Sequence, residues 1–551
     1  MILLLSLLMS GLLFGAPLEY KLLKKFKDTG DVGTALFLLE NYPTAVFVDE
    51  LRVELAEILE RKGEPERAKK VLERVNLSNL REEYAERTAR LWRKLNLDPR
   101  PLLLRFPEHA PEAIPRVELN RVELEKVLGR LFRKRRYEEV LRHAGELCFY
   151  RGAALYRTRR YEEAVKVLRD CEDRRADLYV LLSYIRMGDV SSAELFALKR
   201  DREDLYFRLG WLFLSAGDYR RARKYISVSG ENFRRFFYSA ILSVIEGKLL
   251  LAYEDLSLAE RYARGNFERA RVYFWKYRIL RALGRKELAF YYLRKCADLS
   301  GFYATVAKMY LKEKLYSEPT LVVKGNPGGR IARELRAVRE LGFLHYMRLE
   351  AFRRIEEITP EDVFELVRVD PHTAIKLAVR KFGANSDIYR AIAYPTPFRV
   401  IVKRASRRYG VPEALIYAVM RQESLFDPIA ISRSDAKGLM QLLDSTARWQ
   451  AERIGYELRD VFDPETNVFL GTAYLRFLID LWDGDLVRAI ASYNAGQGAV
   501  SRWVDYRDDF LFIETIPYDE TRNYVRRVLW FYYIYAEKLS FRAVLSFPPA
   551  R

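Results

Sequence analysis

The sequence predicts an all-α protein, in which a solenoid of helical hairpins is followed by a separate helical domain. Residues that favour helices, such as Leu, Ala, Glu, Lys and Arg, dominate the 551 residues, whereas glycine and proline are sparse. No Asn-Gly or Asp-Gly turn stands between two alternating strand patterns. A short motif that is typical of helical hairpins recurs through the first 300 residues. Strands should therefore be few.

The recurring motif begins with Gly or Arg and has Ala five residues later. Its copies lie at Gly30–Ala35, Gly63–Ala68, Arg159–Ala164, Gly188–Ala193, Gly217–Ala222, Gly247–Ala252 and Gly284–Ala289, with a degenerate copy at Arg135–Val140. The glycine would end one helix in a left-handed turn, and the small alanine would let the paired helices approach closely. The motif resembles tetratricopeptide-like hairpins, whose strict repeat is about 34 residues.

Changes of pattern divide the rest of the chain. Residues 301–394 lose the motif but keep a helical pattern. Pro395 and Pro397 then interrupt the chain, because proline disfavours helix both at itself and at the residue before it. We therefore predict a helical-repeat arm over 17–300, a helical linker region over 301–394 and a separate domain over 395–551.

Residues 1–16 form an apolar run that is too short for a comfortable membrane span. Because an Ala-Pro pair and a charged helix pattern follow, the run predicts a secretory signal peptide and a location in the periplasm or cell envelope. No basic residue precedes the run, and Phe14 is bulky for its place before a cleavage site. An uncleaved N-terminal membrane anchor is therefore the alternative.

Charge and cysteine content narrow the class of partner and fold. The formal charge of +19 indicates attraction to polyanions, such as nucleic acid, anionic lipid or a carboxylate-bearing cell wall. Export would exclude nucleic acid. Cys148, Cys171 and Cys296 are too few for a disulfide framework. Buried free thiols are expected, and a bond between Cys148 and Cys171 stays open.

One carboxylate has the surroundings of a general acid. Residues 411–424 predict a helix whose apolar stripe carries Ile416, Val419 and Met420. Glu423 falls on this stripe, near the helix C-terminus. Burial and the negative end of the helix dipole should both raise its pKa and keep it protonated, as glycosidic cleavage requires. Considered alone, a glutamate at a helix end is more often a solvated residue.

Several short motifs follow this helix. They are Phe426-Asp-Pro428, Ser432, Gly438-Leu-Met-Gln441, Asp463-Pro464, Asn467, Gly471, Tyr474-Leu475, Ser492-Tyr-Asn-Ala-Gly496, Trp503, Phe512-Ile-Glu-Thr-Ile-Pro517, Glu520-Thr-Arg522 and Tyr524-Val525. In this order and spacing they resemble the soluble lytic transglycosylases, whose catalytic domain is similar to goose-type lysozyme. The resemblance covers roughly residues 395–540, and the helical arm looks like that family's superhelical N-terminal part.

The resemblance implies an activity. The C-terminal domain would cleave the β-1,4 bond between N-acetylmuramic acid and N-acetylglucosamine in peptidoglycan, with Glu423 as the sole catalytic acid/base, and would form 1,6-anhydro ends. This chemistry needs no metal or organic cofactor. The histidines also lack ligand spacing; they are His109, His143, His345 and His372. The expected partners are glycan strands and, through the arm, envelope proteins, with a monomer favoured.

The resemblance also implies residues that bind the substrate. They are Ser432, Met440, Gln441, Tyr493, Asn494 and Glu520. Ser432 and Gln441 would orient the sugar ring and its acetamido group, and Tyr493 would line the cleft beside Glu423.

Simpler explanations exist for some of these residues. By residue type, Asn494 is also a helix cap, Met440 a core residue and Glu520 an ion-pair partner of Arg522. The sequence also departs from the common family pattern in two places, which puts the subsite preferences in doubt. These are Leu443-Asp444 and Arg433-Ser434-Asp435.

Two other functions remain open. A hydrolytic muramidase of the same fold would need a second carboxylate to activate water, and Asp427, Asp435 and Asp519 are available by type. A noncatalytic envelope scaffold would bind a partner through the solenoid and only hold glycan in its C-terminal domain. Glu423 together with the substrate-binding motifs argues against the scaffold.

Overall fold

The computed structural model describes residues 15–316 and 329–540. Within these residues the regular elements are helices, and the β-pairing is limited to isolated bridges between 431 and 442. The predicted all-α class is therefore confirmed. The signal peptide predicted at 1–16 lies almost entirely outside the described residues. Among the helices that are described, none is long and apolar enough to cross a membrane.

The helices before residue 316 form a series of short hairpins. In chain order they are α1 Leu18–Thr29, α2 Val32–Asn41, α3 Val48–Arg61, α4 Pro65–Leu72, α5 Glu82–Lys94, α6 Pro99–Arg105, α7 Arg121–Arg133, α8 Tyr137–His143, α9 Cys148–Arg157, α10 Tyr161–Leu168, α11 Ala176–Arg186, α12 Val190–Arg200, α13 Glu203–Ser215, α14 Tyr219–Ile226, α15 Phe233–Ile245, α16 Leu249–Tyr262, α17 Asn266–Ala282, α18 Lys286–Ala297 and α19 Phe302–Leu311.

The helices after residue 329 include those that carry the motifs. They are α20 Arg330–Glu340, α21 Leu344–Arg353, α22 Pro360–Val369, α23 Pro371–Phe382, α24 Asp387–Ile392, α25 Arg399–Tyr409, α26 Glu413–Glu423, α27 Asp444–Ile454, α28 Pro464–Leu481, α29 Leu486–Ala495, α30 Gln497–Val500, α31 Asp509–Thr515 and α32 Asp519–Lys538.

The recurring motif does what its residues predict. The first residue of each copy has a positive φ, between 59° and 79°, at Gly30, Gly63, Arg135, Arg159, Gly188, Gly217, Gly247 and Gly284. The residue five positions later has no exposed surface at Ala35, Ala68, Val140, Ala164, Ala193, Ala222, Ala252 and Ala289. A left-handed turn and a close helix contact therefore recur together, as expected for helical hairpins.

The described chain divides into two compact units. The first takes in residues 15–196, 329–369 and 373–388, and the second takes in residues 197–316, 370–372 and 389–540. Each unit therefore joins segments that are distant in sequence.

The first unit brings its N-terminal helices against helix α21. Tyr20 on α1 donates a buried hydrogen bond to Glu350, at 3.0 Å. Tyr346 donates one to Glu50 on α3, at 2.6 Å. These hydrogen bonds offset the loss of hydration that each polar group suffers when it is buried inside the protein.

The cysteines differ from the sequence expectation. Cys148 and Cys171 form a disulfide bond between the start of α9 and the segment after α10, with their Cα atoms 5.9 Å apart. The expectation of free thiols at these positions was therefore wrong, because the hairpin brings two positions 23 residues apart into contact. Cys296 is free and buried.

Candidate functional site

Helix α26 carries Glu423 as its last residue. Its apolar stripe is fully buried, with no exposed surface at Ile416, Val419 or Met420. Ser424 ends the helix and donates a hydrogen bond to the Leu439 carbonyl oxygen, at 2.8 Å. The end of the helix is thereby held against the following loop.

The chain turns sharply after Glu423. Leu425 and Phe426 both have positive φ values, of 52° and 67°, which non-glycine residues rarely adopt. Phe426 has no exposed surface, so its buried ring holds the strained turn in place. Glu423 thus lies between the buried helix α26 and a turn that Phe426 holds in place, so the backbone around it is well defined.

The Glu423 carboxyl is partly buried and has a specific partner. Tyr524 on α32 donates a hydrogen bond to Glu423 Oε1, at 2.6 Å. The pKa of Glu423 is raised to about 7, mainly by burial; the Tyr524 hydrogen bond opposes the rise, and the charge of Glu520 adds to it. A large fraction of this carboxyl is therefore protonated at neutral pH.

Tyr524 was not predicted as a site residue. It belongs to the Tyr524-Val525 motif and lies four residues after Glu520, so both side chains project from neighbouring turns of α32. That spacing is the signal that could have identified it, but only the packing of α26 against α32 shows which carboxylate it meets.

The loop between α26 and α27 is built from the predicted residues Ser432 and Gln441. Ser432 Oγ accepts hydrogen bonds from the backbone N–H groups of Ser434 and Ala436, at 3.2 and 3.0 Å. Gln441 Nε2 donates to the carbonyl oxygens of Ala430 and Gly438, at 3.1 and 2.9 Å. Both side chains therefore hold the backbone of this loop, with Ser432 exposed and Gln441 half-buried.

Asn467 on α28 organises the same loop. Its buried amide donates to the carbonyl oxygens of Lys437 and Val461, each at 2.9 Å, and accepts from the Met440 N–H at 2.7 Å. Gly438 has a φ of +75° and approaches this amide so closely that a Cβ would lie 2.4 Å from Nδ2. The motifs that contain Gly438, Met440 and Asn467 therefore pack against one another, although they are separated in sequence.

Met440 packs in the core, which is the simpler of the two roles that the sequence allowed for it. It has no exposed surface, and its side chain fills the space where Gly471 lacks a Cβ. Its carbonyl oxygen accepts a hydrogen bond from the Tyr493 hydroxyl, at 2.9 Å. Burial, and then the charge of Glu423, raise the pKa of Tyr493 well above its usual range, so Tyr493 stays neutral near Glu423.

Asn494 and Glu520 have different surroundings. Asn494, near the C-terminal end of α29, accepts a hydrogen bond from the Thr521 hydroxyl at 2.6 Å, so it does not cap the start of a helix. Glu520 is exposed, and Arg522 pairs with Asp519 instead of Glu520. Three side chains therefore interact with Glu423: Tyr524 by a hydrogen bond, and Tyr493 and Glu520 through electrostatic interactions.

Each of the two segments that depart from the family pattern contains an aspartate close to Lys437. Lys437 Nζ forms an ion pair with Asp444 at 2.7 Å and lies 3.5 Å from Asp435. Leu443 is exposed. The unusual acids therefore hold the loop to the start of α27.

A buried ion cluster supports helix α32. Glu514 has no exposed surface and accepts hydrogen bonds from Arg271, Arg526 and the Tyr303 hydroxyl. Although burial opposes it, Arg271 and then Arg526 hold the pKa of Glu514 down at about 2. Arg526 lies two residues after Tyr524, so this cluster fixes the helix that supplies the hydrogen bond to Glu423.

One group in the described chain has the composition of a metal site. The side chains of Glu82, Glu108 and His109 lie within reach of a common ion. Arg130 pairs with Glu108 at 2.7 Å and Lys134 with Glu82 at 2.8 Å, so cationic side chains already balance these acids. The group lies in the first unit, whereas Glu423 belongs to the second.

The sequence matches known family profiles over its C-terminal part. Residues 400–516 match the profile described as the transglycosylase SLT domain. Residues 515–540 match the profile described as the soluble lytic transglycosylase helical domain.

Curated relatives align to the same region. A soluble lytic murein transglycosylase of Escherichia coli K12 is 34% identical over 152 residues, which cover 26% of this chain and 24% of that protein. A membrane-bound lytic murein transglycosylase C of Edwardsiella ictaluri is 42% identical over 118 residues, or 18% of this chain and 32% of that protein. The alignments therefore span about a quarter to a third of the relatives' length.

Solved structures share the fold over almost the whole chain. The 70 kDa soluble lytic transglycosylase of Escherichia coli has a TM-score of 0.64 and 17% identity, with 95% of this chain and 91% of that chain covered. The lytic transglycosylase Slt of Pseudomonas aeruginosa has a TM-score of 0.56 and 19% identity, with 98% and 94% covered. The predicted combination of a helical-repeat arm and a lysozyme-like domain is thereby confirmed as a fold. Residues 400–516 therefore match the transglycosylase SLT domain, and the fold of the chain is similar to that of the solved soluble lytic transglycosylases.

Proposed function

We propose that this protein is a lytic transglycosylase that cleaves the β-1,4 bond between N-acetylmuramic acid and N-acetylglucosamine in peptidoglycan. The observation that carries the proposal is the Glu423 carboxyl, which has a pKa of about 7 and ends a buried helix of the SLT domain. Such a group can donate a proton and later accept one at neutral pH.

In the first step, the Glu423 carboxyl protonates the glycosidic oxygen, and the bond from that oxygen to C1 of the muramic acid breaks. The acetamido oxygen of the substrate stabilises the positive charge at C1. In the second step, the C6 hydroxyl oxygen bonds to C1 and gives its proton to the Glu423 carboxylate. The 1,6-anhydro ring forms without water, and the carboxyl is restored.

Tyr524 has two effects in this sequence. Its hydrogen bond stabilises the charged form of Glu423, which must persist between the two steps. It also holds the carboxyl in one orientation, which favours proton transfer within hydrogen-bond distance.

The substrate contacts are proposed from the family pattern. Ser432, Gln441, Tyr493, Asn494 and Glu520 would bind the glycan, whereas Met440, which has no exposed surface, would support this surface from the core. The loop of Ser432 and Gln441, and the contact from Tyr493 to the Met440 carbonyl, support one connected binding surface. Glu520 is exposed and its charge acts on Glu423, which supports a position beside the reacting sugar.

The surroundings of the other acids favour a transglycosylase over a muramidase. Asp427 accepts a hydrogen bond from the Ile429 N–H, Asp435 lies near Lys437, and Asp519 pairs with Arg522. Each of these carboxylates is therefore already engaged by a neighbouring group in a loop or at the start of a helix. The raised pKa of Glu423 argues against a noncatalytic scaffold, because a group that only holds glycan needs no proton to donate.

We further propose that the protein works outside the cytoplasm, in the periplasm or cell envelope. The disulfide between Cys148 and Cys171 supports this location, since such bonds persist mainly in oxidising compartments. Alkylation of the unfolded protein without reduction should modify Cys296 alone. Modification of all three cysteines in protein taken from the envelope would contradict the proposal.

The products distinguish the proposed reaction from hydrolysis. Purified sacculi are digested in ¹⁸O-water and the fragments are analysed by mass spectrometry, with and without borohydride. We expect 1,6-anhydro ends that resist reduction, carry no label and weigh one water less than muramidase products. Reducible muramic ends that carry the label would assign the protein as a muramidase.

A further inference from the structure

Helix α25, which directly precedes the Glu423 helix, has a strongly basic face. Its eleven residues include no Asp or Glu. Its basic residues are Arg399, Lys403, Arg404, Arg407 and Arg408, and all of them are exposed. The opposite side buries Val402 and Ala405.

The basic side chains cover about half of the helix circumference. At about 3.6 residues per turn, Arg399, Lys403 and Arg407 form one ridge, and Arg404 and Arg408 form a second. Three pairs are therefore like charges four residues apart, which destabilise a helix by themselves. Binding of an anion to this surface would reduce the repulsion between the basic side chains.

Few acids within the protein balance this face. Arg404 pairs with Glu465 on α28, at 2.9 Å, and also lies over the Phe469 ring. Among the described residues, no carboxylate lies within ion-pair distance of Arg399, Lys403 or Arg407. These three cations therefore form a row about 12 Å long that faces solvent.

We propose that the basic face of α25 binds the stem-peptide carboxylates of intact peptidoglycan, so that the SLT domain holds the wall outside the glycan cleft. This inference rests on the proposed function for its choice of polymer. A row of unpaired cations fits a polymer with repeated carboxylates better than it fits a single small anion. Because α25 packs against α26 and α28, the polymer would be held on the domain that cuts it.

An anionic membrane is the other large polyanion to consider. Helices that lie in a bilayer interface bury a broad apolar face. On the exposed side of α25, Val400 is the single large apolar residue, with 72% of its surface exposed. The face therefore has the charge for a bilayer but lacks the apolar area, which favours the wall polymer.

The test measures binding without turnover. The full chain with Glu423→Gln is pelleted with intact sacculi, and the triple variant Arg399→Gln, Lys403→Gln, Arg407→Gln is compared in the same background. We expect the triple variant to bind about tenfold more weakly at low salt, with a shallower salt dependence. Its melting temperature should not fall, since the changes remove like-charge pairs.

A matched control removes the same charge elsewhere. Arg61, Lys62 and Lys70 are exposed residues of the first unit, and the triple change of these to Gln should leave binding nearly unchanged. An equal loss in this control would overturn the proposal, since net charge would then explain it. Unchanged binding by the α25 variant would overturn it directly.

Two further probes identify the bound polymer. Sacculi whose carboxylates have been converted to neutral amides with carbodiimide and ethanolamine should bind the Glu423→Gln protein more weakly than untreated sacculi and should not respond to the α25 changes. Stronger α25-dependent binding to phosphatidylglycerol vesicles would instead assign the face to a membrane. If the proposed reaction itself is wrong, the parent protein will release no anhydro products, whatever the binding results.

Discussion

The hydroxyl of Tyr524 donates a 2.6 Å hydrogen bond to Oε1 of Glu423, although 101 residues separate the two along the chain. The contact is made because α26 and α32 pack against each other. It places a neutral donor against a carboxyl that burial holds partly protonated, and this pairing gives the following predictions.

Replacing Glu423 with Gln should abolish most of the activity on sacculi while keeping the fold. The amide has nearly the same shape but cannot give or take the proton, and general acid–base catalysis contributes about 10²–10⁴-fold to a rate. Release of anhydro-muropeptides over time measures the loss. A variant with near-normal turnover would remove Glu423 from the mechanism.

Folding stability should depend on the protonation of Glu423. Its pKa is about 7 in the folded protein against an ordinary value of 4.5, so the folded state binds the extra proton between these values. The stabilisation is therefore fully present below about pH 4.5 and is lost as pH rises through 7, a change of about 3 kcal/mol. Urea unfolding from pH 4.5 to 8 measures it. In Glu423→Gln this part of the pH dependence should vanish.

Replacing Tyr524 with Phe should move the pH profile upward. The hydroxyl lowers the pKa of Glu423, so its loss should raise that pKa and shift the upper limb of kcat to higher pH. The maximum rate should fall about tenfold, since the carboxylate intermediate loses a donor worth about 1.4 kcal/mol. As a control, Tyr409→Phe removes a buried hydroxyl that has no partner among the described residues. An unshifted profile would mean that Tyr524 only packs.

Replacing Gly471 with Ala should destabilise the loop that holds Met440. The new Cβ would lie 2.5 Å from the Met440 Sδ and 2.9 Å from its Cβ, so the backbone of one element must shift. Overpacking of this kind costs about 1–3 kcal/mol. Thermal unfolding measures the cost. Gly498→Ala is the matched control, because its Cβ would meet no atom within 4 Å, and the idea fails if the two variants melt alike.

A fragment that begins at Tyr394 should fold by itself, as the proline-marked boundary predicts. It keeps the stripes of α26, α28 and α32 but loses Arg271 and Tyr303, which pair with the buried Glu514. Its melting temperature should therefore be lower than that of a fragment beginning at residue 197, which retains both partners. A fragment from Tyr394 without a cooperative melt would show that the preceding helices complete its core.

Much of the site could be predicted from sequence because its signals are local. A helix stripe places Glu423 among apolar residues, and burial did raise its pKa as expected. The second expected cause was the helix dipole, whereas the structure adds the charge of Glu520. The partner Tyr524 could not be identified, since its contact depends on a helix that lies 101 residues away.

The cysteines show the same limit in the arm. Cys148 and Cys171 each fit a helix pattern as small apolar residues, so composition favoured free thiols. Whether two such positions approach depends on the hairpin between them, which sets a Cα separation of 5.9 Å.

The sequence by itself determined the helical class, the hairpin motif and the position of the acid, because backbone preferences and side-chain period act over a few residues. Only the tertiary structure decided which groups surround that acid, which arginines neutralise Glu514 and which face of α25 stays unbalanced. Burial and charge act through space, so their effects on a pKa or an ion pair follow from packing between elements that are distant in the chain.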